Sequence, residues 1–282
     1  MIEVPSRSKS LCLQIGLSVF ELRGLNESQE LIVKEAWGPF VLSMSLESGN
    51  EPSLKAERCR IDFYLGPPPP DQEFCYQRAD DLWLCDRSDE ANLMSLISWT
   101  DGSLGAIEAS VQVLLQWSVQ ARGGLLVHAS AGVYQGKGVI VPGASNAGKS
   151  TIAREAGFDL VLSDEMVVIE PIIEGLGYQL HSTPFWSEGR QFPLIVTQAP
   201  LYLLAFPHKS DKAELLDCSE AEAVRSLLRG VTLYERAPLL ERREAQRELF
   251  LIACQLCTQV KAARLYFPKT GPWLGKLTEA FT

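Results

Sequence analysis

The feature that most constrains the fold of this chain is an eight-residue loop, Gly143-Ala144-Ser145-Asn146-Ala147-Gly148-Lys149-Ser150, which matches the pattern G-x-x-x-x-G-K-[ST]. The apolar run 138–142 before it is typical of a buried strand, and residues 150–156 predict a helix that ends at Gly157. A glycine-rich turn between a strand and a helix can surround phosphate oxygens with backbone N–H groups. The sequence therefore predicts a phosphate-binding loop, hereafter the phosphate loop, within an α/β domain.

The residue types in the phosphate loop predict separate roles. Gly143 and Gly148 allow the backbone to curl, and Lys149 is expected to reach the β- and γ-phosphates of a nucleotide. The Ser150 hydroxyl is expected to bind a magnesium ion that bridges those phosphates. The alternative interpretation is a glycine turn that binds no ligand.

Composition narrows the class of protein. The chain has 282 residues, 46% of them hydrophobic and 22% charged, which is typical of a globular protein with one large or two smaller domains. A net charge of −9 argues against nucleic acid and anionic membranes as partners, because both attract basic surfaces. Seven scattered cysteines and an N-terminus without a leader-like segment predict a cytoplasmic location. Cys254 and Cys257 form a C-x-x-C, interpreted as helix core with a metal or redox pair as the alternative.

Two regions are predicted along the chain. Residues 1–95 alternate short apolar runs with turn signals and predict a β-rich N-terminal region. Its expected strands cover 11–15, 40–44, 60–65 and 82–85. Residues 96–282 hold the phosphate loop, and helical spacing over 104–121 predicts the helix that joins the two regions.

The second region is expected to contain a mixed sheet. The runs 125–133 and 138–142 flank the turn Gln135-Gly136 and predict a hairpin, so the strand entering the phosphate loop has an antiparallel neighbour. A strand over 158–165 ends in Asp164 and Glu165. The remaining expected elements are a strand at 201–206, helices at 219–228 and 241–262, and a strand at 264–268.

A histidine-bearing strand (Val127 to Ala131), the phosphate loop and the strand ending in Asp164-Glu165 together resemble the C-terminal domain of the HPr kinase/phosphorylase family. The resemblance is closer to the HPr-kinase-related proteins of bacterial peptide-modification clusters. It covers about the last two-thirds of the chain. Further similar segments are His181 to Trp186, Ala199-Pro200-Leu201 and Arg264 to Phe267.

The resemblance implies a phosphoenolpyruvate-carboxykinase-like nucleotide-binding fold with a mixed sheet. It implies that Ser150 and Glu165 hold magnesium and that Asp164 accepts the proton of an attacking serine hydroxyl. His128 is then expected near the transferred phosphoryl group. The residues that hold the triphosphate would be Gly143, Ala144, Ser145, Asn146, Ala147, Gly148, Lys149, Ser150 and Thr151.

The sequence allows more than one role for some of these residues. Asp164 could instead only orient water bound to the magnesium, and His128 could be a hydrogen-bonded core residue. Arg190 is a candidate phosphate clamp, while His181 and His208 are expected to be structural or exposed.

The expected activity is that of a kinase that transfers the γ-phosphate of ATP or GTP, with Mg²⁺, to a hydroxyl. The acceptor would be serine of a peptide or protein, or a small molecule. Neither phosphorylase activity nor HPr as substrate is expected, because the chain lacks a clear counterpart of the signature that supports dephosphorylation. The resemblance is also compatible with a homo-oligomer. The alternatives are a nucleotide-binding regulatory or assembly protein with little transfer activity, and a simple nucleoside triphosphatase.

Overall fold

The structure, a computed structural model, describes residues 10–43, 57–71, 76–78, 82–86, 93–144, 146–173, 175–187, 191–231, 239–271 and 275. Ser145 and Arg190 lie outside these residues. The chain divides into two compact units: unit 1 is Met1–Ser118 with Tyr234–Glu244, and unit 2 is Val119–Leu233 with Ala245–Thr282. The boundary expected after residue 95 stays a prediction.

Unit 1 contains a six-stranded sheet in the order β1-β2-β3-β6-β5-β4. Its strands are β1 (Leu11–Ile15), β2 (Ser18–Arg23), β3 (Glu57–Leu65), β4 (Tyr76–Arg78), β5 (Leu82–Asp86) and β6 (Leu93–Thr100). Strand β3 pairs in parallel with both β2 and β6, whereas the outer pairs are antiparallel. Unit 1 also holds helix α1 (Glu27–Trp37) and most of α2 (Leu104–Ala121).

One expected strand of unit 1 is absent from the described residues. At 40–44 the chain instead makes a short 3₁₀ turn, Gly38–Phe40, and Val41 then forms one isolated bridge with Leu13. Pro39 explains the difference, because its fixed φ suits the first turn of a helix and it has no N–H for a strand ladder. Helix α1, which was not predicted, begins at a capping box between Asn26 and Gln29.

Unit 2 combines eight strands with helices packed on their faces. Its elements are β7 (Leu125–Tyr134), β8 (Lys137–Pro142), α3 (Lys149–Glu155), β9 (Leu160–Ser163), β10 (Met166–Pro171), β11 (Tyr178–His181), β12 (Gln198–Lys209), β13 (Glu214–Asp217), α4 (Glu220–Leu228), α5 (Leu239–Gln259) and β14 (Lys261–Phe267). The division between the units falls within α5, as it does within α2. The described residues therefore form a mixed α/β fold with five α-helices.

The predicted hairpin and mixed sheet are confirmed. Strands β7 and β8 pair antiparallel across Gln135 and Gly136, both of which have positive φ, as a tight right-twisted hairpin turn requires. On its other side β8 pairs in parallel with β12. Strand β11 pairs with both β10 and β12, so β11, β10, β7, β8 and β12 close into a five-stranded barrel. This closure was not predicted.

Two apolar clusters fix the position of the phosphate loop. Ile140 of β8 packs with residues of α4 and α5, whereas Val139 and Val141 pack in a second cluster with Ile152 of α3. Successive side chains of a strand point to opposite faces, so β8 is covered by apolar side chains on both faces. The strand before the loop and the helix after it are therefore both anchored. Within the described residues, no helix is long and apolar enough to cross a membrane.

Candidate functional site

The phosphate loop joins the end of β8 to the start of α3. Gly148 stands immediately before α3 with φ of +100°, a left-handed conformation that favours glycine. A Cβ atom at this position would lie 2.5 Å from Cζ of Phe267. Glycine is thus required at position 148 by both backbone conformation and space. At Gly143 a Cβ would lie 3.0 Å from Cβ of Ala147, which is a tight contact.

Lys149 lies across its own loop. Its Nζ donates hydrogen bonds to the carbonyl oxygens of Gly143 at 2.9 Å and Ala144 at 3.1 Å, and only 7% of the residue is exposed. Burial lowers the pKa of the Lys149 ammonium, while Glu165 and Asp164 oppose that effect. The ammonium is therefore held in the loop by neutral carbonyls that phosphate oxygens could replace.

Two carboxylates, Asp164 and Glu165, form a turn between β9 and β10, hereafter the acidic turn. Ser163 Oγ accepts hydrogen bonds from the backbone N–H groups of Glu165 at 3.1 Å and Met166 at 3.2 Å. This side chain closes the turn as a short polar residue commonly does. Asp164 is 8% exposed, whereas the side chain of Glu165 is 36% exposed. The two neighbours thus present one buried and one accessible carboxylate.

Both carboxylate oxygens of Asp164 are engaged by Ser187. The Ser187 backbone N–H donates to Oδ1 at 3.1 Å, and its hydroxyl donates to Oδ2. Ser187 was not among the predicted site residues. No local signal identifies it, because the stretch after β11 has neither helical nor strand periodicity and its partner lies 23 positions away.

His128 lies opposite Met166 in the pairing of β7 with β10. Its Nε2 is 3.4 Å from Oε1 of Glu165, and about a third of its side chain is exposed. Burial, and next the charge of Lys149, lower the pKa of His128, while Glu165 opposes them. The imidazole is therefore neutral at pH 7 and lies between the acidic turn and the phosphate loop.

The phosphate loop, the acidic turn and His128 meet at one cavity of about 420 Å³ in unit 2. Its wall consists of His128, Asn146, Gly148, Lys149, Ser150, Thr151, Asp164, Glu165 and Lys209. The predicted catalytic and metal-binding residues are thus brought together with half of the phosphate loop. Gly143 and Ala144 contribute by accepting hydrogen bonds from Lys149, and the Ala147 N–H donates to the Ala144 carbonyl at 3.1 Å.

Lys209, the last residue of β12, was not predicted to be in the site. It is an exposed lysine at the end of a strand, and in sequence such a residue cannot be told from an ordinary solvated charge. Because β12 runs parallel to β8, the end of β12 lies at the same edge of the sheet as the phosphate loop. This topology supplies the cavity with a second cation.

The oxygen atoms around the cavity fit magnesium better than a transition metal. Ser150 and Glu165 offer a hydroxyl and a carboxylate, which are the hard ligands that Mg²⁺ prefers. Among the described residues no group of three or more histidine, cysteine or acidic side chains could hold a metal ion. A magnesium ion here would complete its shell with water and phosphate oxygens, as Mg²⁺ commonly does.

The C-x-x-C lies in α5, away from this chemistry. Cys257 belongs to the apolar core of unit 2, and Cys254 packs against that core. Burial raises the pKa of the Cys257 thiol to about 12, so the thiol is protonated at neutral pH. The arrangement favours the helix-core interpretation over a metal or redox pair.

Comparison with protein families assigns the chain. Residues 101–281, well over half of the chain, match the family described as SynChlorMet cassette protein ScmC. The chain belongs to the ScmC family. The ScmC match includes every residue that lines the cavity, whereas residues 1–100 lie outside it. No curated protein matches the sequence significantly.

The assignment to ScmC corrects one expectation. Membership of the HPr kinase/phosphorylase family was wrong, because the matching family is ScmC. The resemblance rested on a short loop, a preceding histidine and a following pair of carboxylates. Phosphate chemistry favours such residues in unrelated proteins, so motifs of this length identify chemistry better than they identify a family.

Proposed function

We propose that this ScmC-family protein binds ATP or GTP with Mg²⁺ in the cavity of unit 2 and transfers the γ-phosphate to a hydroxyl. The observation that carries the proposal is the convergence of Lys149, Ser150, Asp164 and Glu165 on one cavity of about 420 Å³. Phosphoryl transfer requires positioning and charge neutralisation, and these residues offer a cation, two metal ligands and a base. The proposed acceptor is serine of a peptide or protein, or a small-molecule hydroxyl.

In this proposal each side chain has a separate task. Lys149 exchanges its carbonyl partners for β- and γ-phosphate oxygens, and Lys209 adds positive charge at the cavity wall. Ser150 and Glu165 hold Mg²⁺, which neutralises charge on the phosphates. Asp164 accepts the proton of the attacking hydroxyl, and neutral His128 lies beside Glu165 without adding a charge.

We also propose that unit 2 has a phosphoenolpyruvate-carboxykinase-like nucleotide-binding fold. Its support is the strand β8, which enters the phosphate loop between an antiparallel neighbour, β7, and a parallel neighbour, β12. A purely parallel sheet would have argued against it.

One observation favours a second candidate, a nucleotide-binding regulatory protein with little transfer activity. Lys149 is already bound by two carbonyls, and both oxygens of Asp164 are held by Ser187. If these contacts persist with nucleotide bound, the base is not available to an external hydroxyl. Both candidates bind nucleotide, and they differ in whether the γ-phosphate is transferred to an acceptor.

The test combines nucleotide binding with transfer of γ-labelled phosphate to serine peptides, cell extract and free serine. Lys149→Met and Asp164→Asn are compared with Lys34→Met and Asp217→Asn, which make the same changes on exposed residues outside the cavity. We expect both cavity variants to lose transfer and both controls to retain it. Binding without transfer would support the regulatory candidate, and absence of Mg²⁺-dependent nucleotide binding would contradict both candidates.

A further inference from the structure

The hydroxyl of Ser187 has the partner that an acceptor hydroxyl requires. It donates its hydrogen bond to Oδ2 of Asp164, a carboxylate in the wall of the cavity. A general base must lie within hydrogen-bond reach of the proton that it removes, and this contact satisfies that requirement in the resting protein. Ser187 is a partly exposed residue that adjoins the cavity through Asp164 and does not itself line it.

Neighbouring hydroxyls have different partners. Ser163 donates to the carbonyl of Phe185, Ser182 to that of Thr197, and Thr183 to that of Met166. A peptide carbonyl cannot act as a base at neutral pH, so these hydroxyls are held as structural donors. The carboxylate partner distinguishes Ser187 from them.

The segment 183–187 is fixed to both sides of the acidic turn. Thr183 Oγ1 donates to the Met166 carbonyl at 2.6 Å, on one side of the turn, and Ser163 Oγ donates to the Phe185 carbonyl at 3.1 Å, on the other. Phe185 itself is fully buried. Contacts from Thr183 and Phe185 to the two sides of the acidic turn therefore position Ser187 against Asp164. Such positioning reduces the entropy lost in reaching a reactive geometry.

We propose that Ser187 is itself a phosphate acceptor, so that the protein phosphorylates its own Ser187 within one chain. This inference rests on the proposed function. In the step, Ser187 Oγ forms a bond to the γ-phosphorus while the bond from that phosphorus to the β–γ bridging oxygen breaks. The bridging oxygen takes the electron pair and leaves with the nucleoside diphosphate, and the Ser187 proton passes to Asp164, which releases it to water.

The product differs electrostatically from the starting state. A phosphoserine has about 1.5 to 2 negative charges at pH 7 and lacks the hydroxyl hydrogen that Ser187 donates. Next to Asp164 and Glu165 it would be repelled, so phosphorylation ends the hydroxyl contact to Oδ2 of Asp164 and weakens the backbone contact to Oδ1. The modification thus removes a hydrogen bond that Asp164, the proposed base, accepts in the resting protein.

The experiment incubates the full chain with γ-labelled ATP, and separately GTP, with Mg²⁺, and maps the label by peptide mass spectrometry. The variants are Ser187→Ala, Ser187→Thr and the matched control Ser210→Ala, whose hydroxyl accepts from the Lys212 N–H in an exposed turn. We expect label on Ser187, an at least tenfold loss in Ser187→Ala, and phosphothreonine in Ser187→Thr. Ser210→Ala should incorporate as much label as the wild-type chain.

A mixing experiment tests whether the step occurs within one chain. Wild-type protein of natural isotope content is combined with Lys149→Met uniformly enriched in heavy nitrogen, so that the Ser187 peptide of each chain has its own mass. We expect label on the wild-type chain alone, with a rate that does not depend on total protein concentration. Label on Ser187 of the Lys149→Met chain would contradict transfer within one chain.

The outcomes separate this inference from the proposed function. Transfer to an added serine peptide or free serine with Ser187 unlabelled would overturn the inference and leave the proposed kinase standing. Label on another residue of the chain would do the same. Nucleotide binding with no labelled product would overturn the kinase and the inference together.

Discussion

At the scale of single residues, the protonation and contacts of Lys149 decide what the cavity can bind. The ammonium is buried, yet its resting partners are two neutral carbonyls together with the more distant charges of Glu165 and Asp164. Hydrogen bonds between an ammonium and phosphate oxygens are charge-assisted and stronger than those to carbonyls. A triphosphate therefore offers Lys149 better partners than its own loop does.

Lys149→Met should weaken nucleotide binding by about 10- to 100-fold, because a hydrogen bond to a charged group contributes about 1.5–3 kcal/mol. Equilibrium binding of a fluorescent nucleotide measures the effect. Lys34→Met is the control, since Lys34 makes an exposed ion pair with Glu30 in α1. Equal affinity in Lys149→Met and the unmodified chain would show that the phosphate loop does not bind nucleotide through this lysine.

His181 predicts a pH dependence of stability. Its Nε2 is 3.3 Å from Oε2 of Glu170, whose other oxygen accepts from Arg122, and its side chain is 7% exposed. Burial, with a smaller effect of Arg122, lowers the pKa of His181, while Glu170 opposes them. In the unfolded chain a histidine has a pKa of about 6.5. Between that value and the lower pKa of folded His181, the unfolded chain therefore binds more protons than the folded chain, and stability falls as the pH falls through this range.

His181→Gln should remove part of this fall, by at most about 1.4 kcal/mol per pH unit for one proton. Glutamine keeps an amide donor near Glu170 but does not titrate. Denaturant unfolding at pH 5 and pH 7 measures the difference, and His208→Gln, which changes an exposed ring stacked on Tyr266, is the control. A pH dependence in His181→Gln equal to that of the control would contradict the prediction.

The residues of the site differ in how far sequence could predict them. Lys149 and Ser150 occupy fixed places in a motif, and Asp164 and Glu165 follow directly from an apolar strand. Ser187 and Lys209 reach the site through tertiary contacts, a hydrogen bond across 23 positions and the parallel pairing of β12 with β8. Local patterns contain no information on such contacts, so these two residues required the structure.

At the scale of elements, the turn from β8 into α3 depends on its fit against β14. Gly148→Ala should destabilise the protein by about 1–3 kcal/mol, because a non-glycine residue at φ of +100° is strained. The added Cβ would also meet the Phe267 ring at 2.5 Å, so nucleotide affinity should fall as the loop shifts. Thermal unfolding and nucleotide binding measure the two effects.

Two further variants separate the causes in Gly148→Ala. Gly105→Ala, in the first turn of α2 with open space around the added Cβ, should leave stability unchanged or raise it by up to about 1 kcal/mol. In the double variant with Phe267→Leu, the smaller side chain makes room for the added Cβ, while the backbone strain at position 148 remains. Unchanged stability and affinity in Gly148→Ala alone would contradict the loop geometry described above.

The connection between β10 and segment 183–187 yields another prediction. Thr183→Val removes a buried donor to the Met166 carbonyl and an acceptor for the Phe185 N–H, at a cost of about 1–3 kcal/mol. Since Thr183 positions Ser187 and does not line the cavity, labelling of Ser187 should fall more than nucleotide affinity does. Thr258→Val, exposed and bonded within α5, is the control. An equal loss of labelling in both variants would contradict the positioning role.

Elements with local signals were predicted well, and those with distant partners were not. Helix α2 and the β7–β8 hairpin follow from periodicity and turn residues, and α4 begins after its predicted cap, Ser219. The expected helix 241–262 extended too far, because α5 ends at Gln259 and residues from Lys261 onward pair with β12. The barrel was missed because β11 must pair with β10 and β12 together, which no local pattern specifies.

At the scale of the whole molecule, every residue of the proposed site belongs to unit 2. Nucleotide with Mg²⁺ should therefore slow amide hydrogen exchange in peptides that cover β8 to β10, and leave peptides of β1 to β3 largely unchanged. A ligand at 100 times its Kd stabilises the bound state by about 2.7 kcal/mol, which slows exchange by about 100-fold wherever opening releases the ligand. The same experiment on Lys149→Met provides the control, because its weaker affinity should reduce the slowing to about 2- to 11-fold at the same nucleotide concentration. Protection of equal size in β1 to β3 would show that nucleotide acts on unit 1 as well, and would contradict a site confined to unit 2.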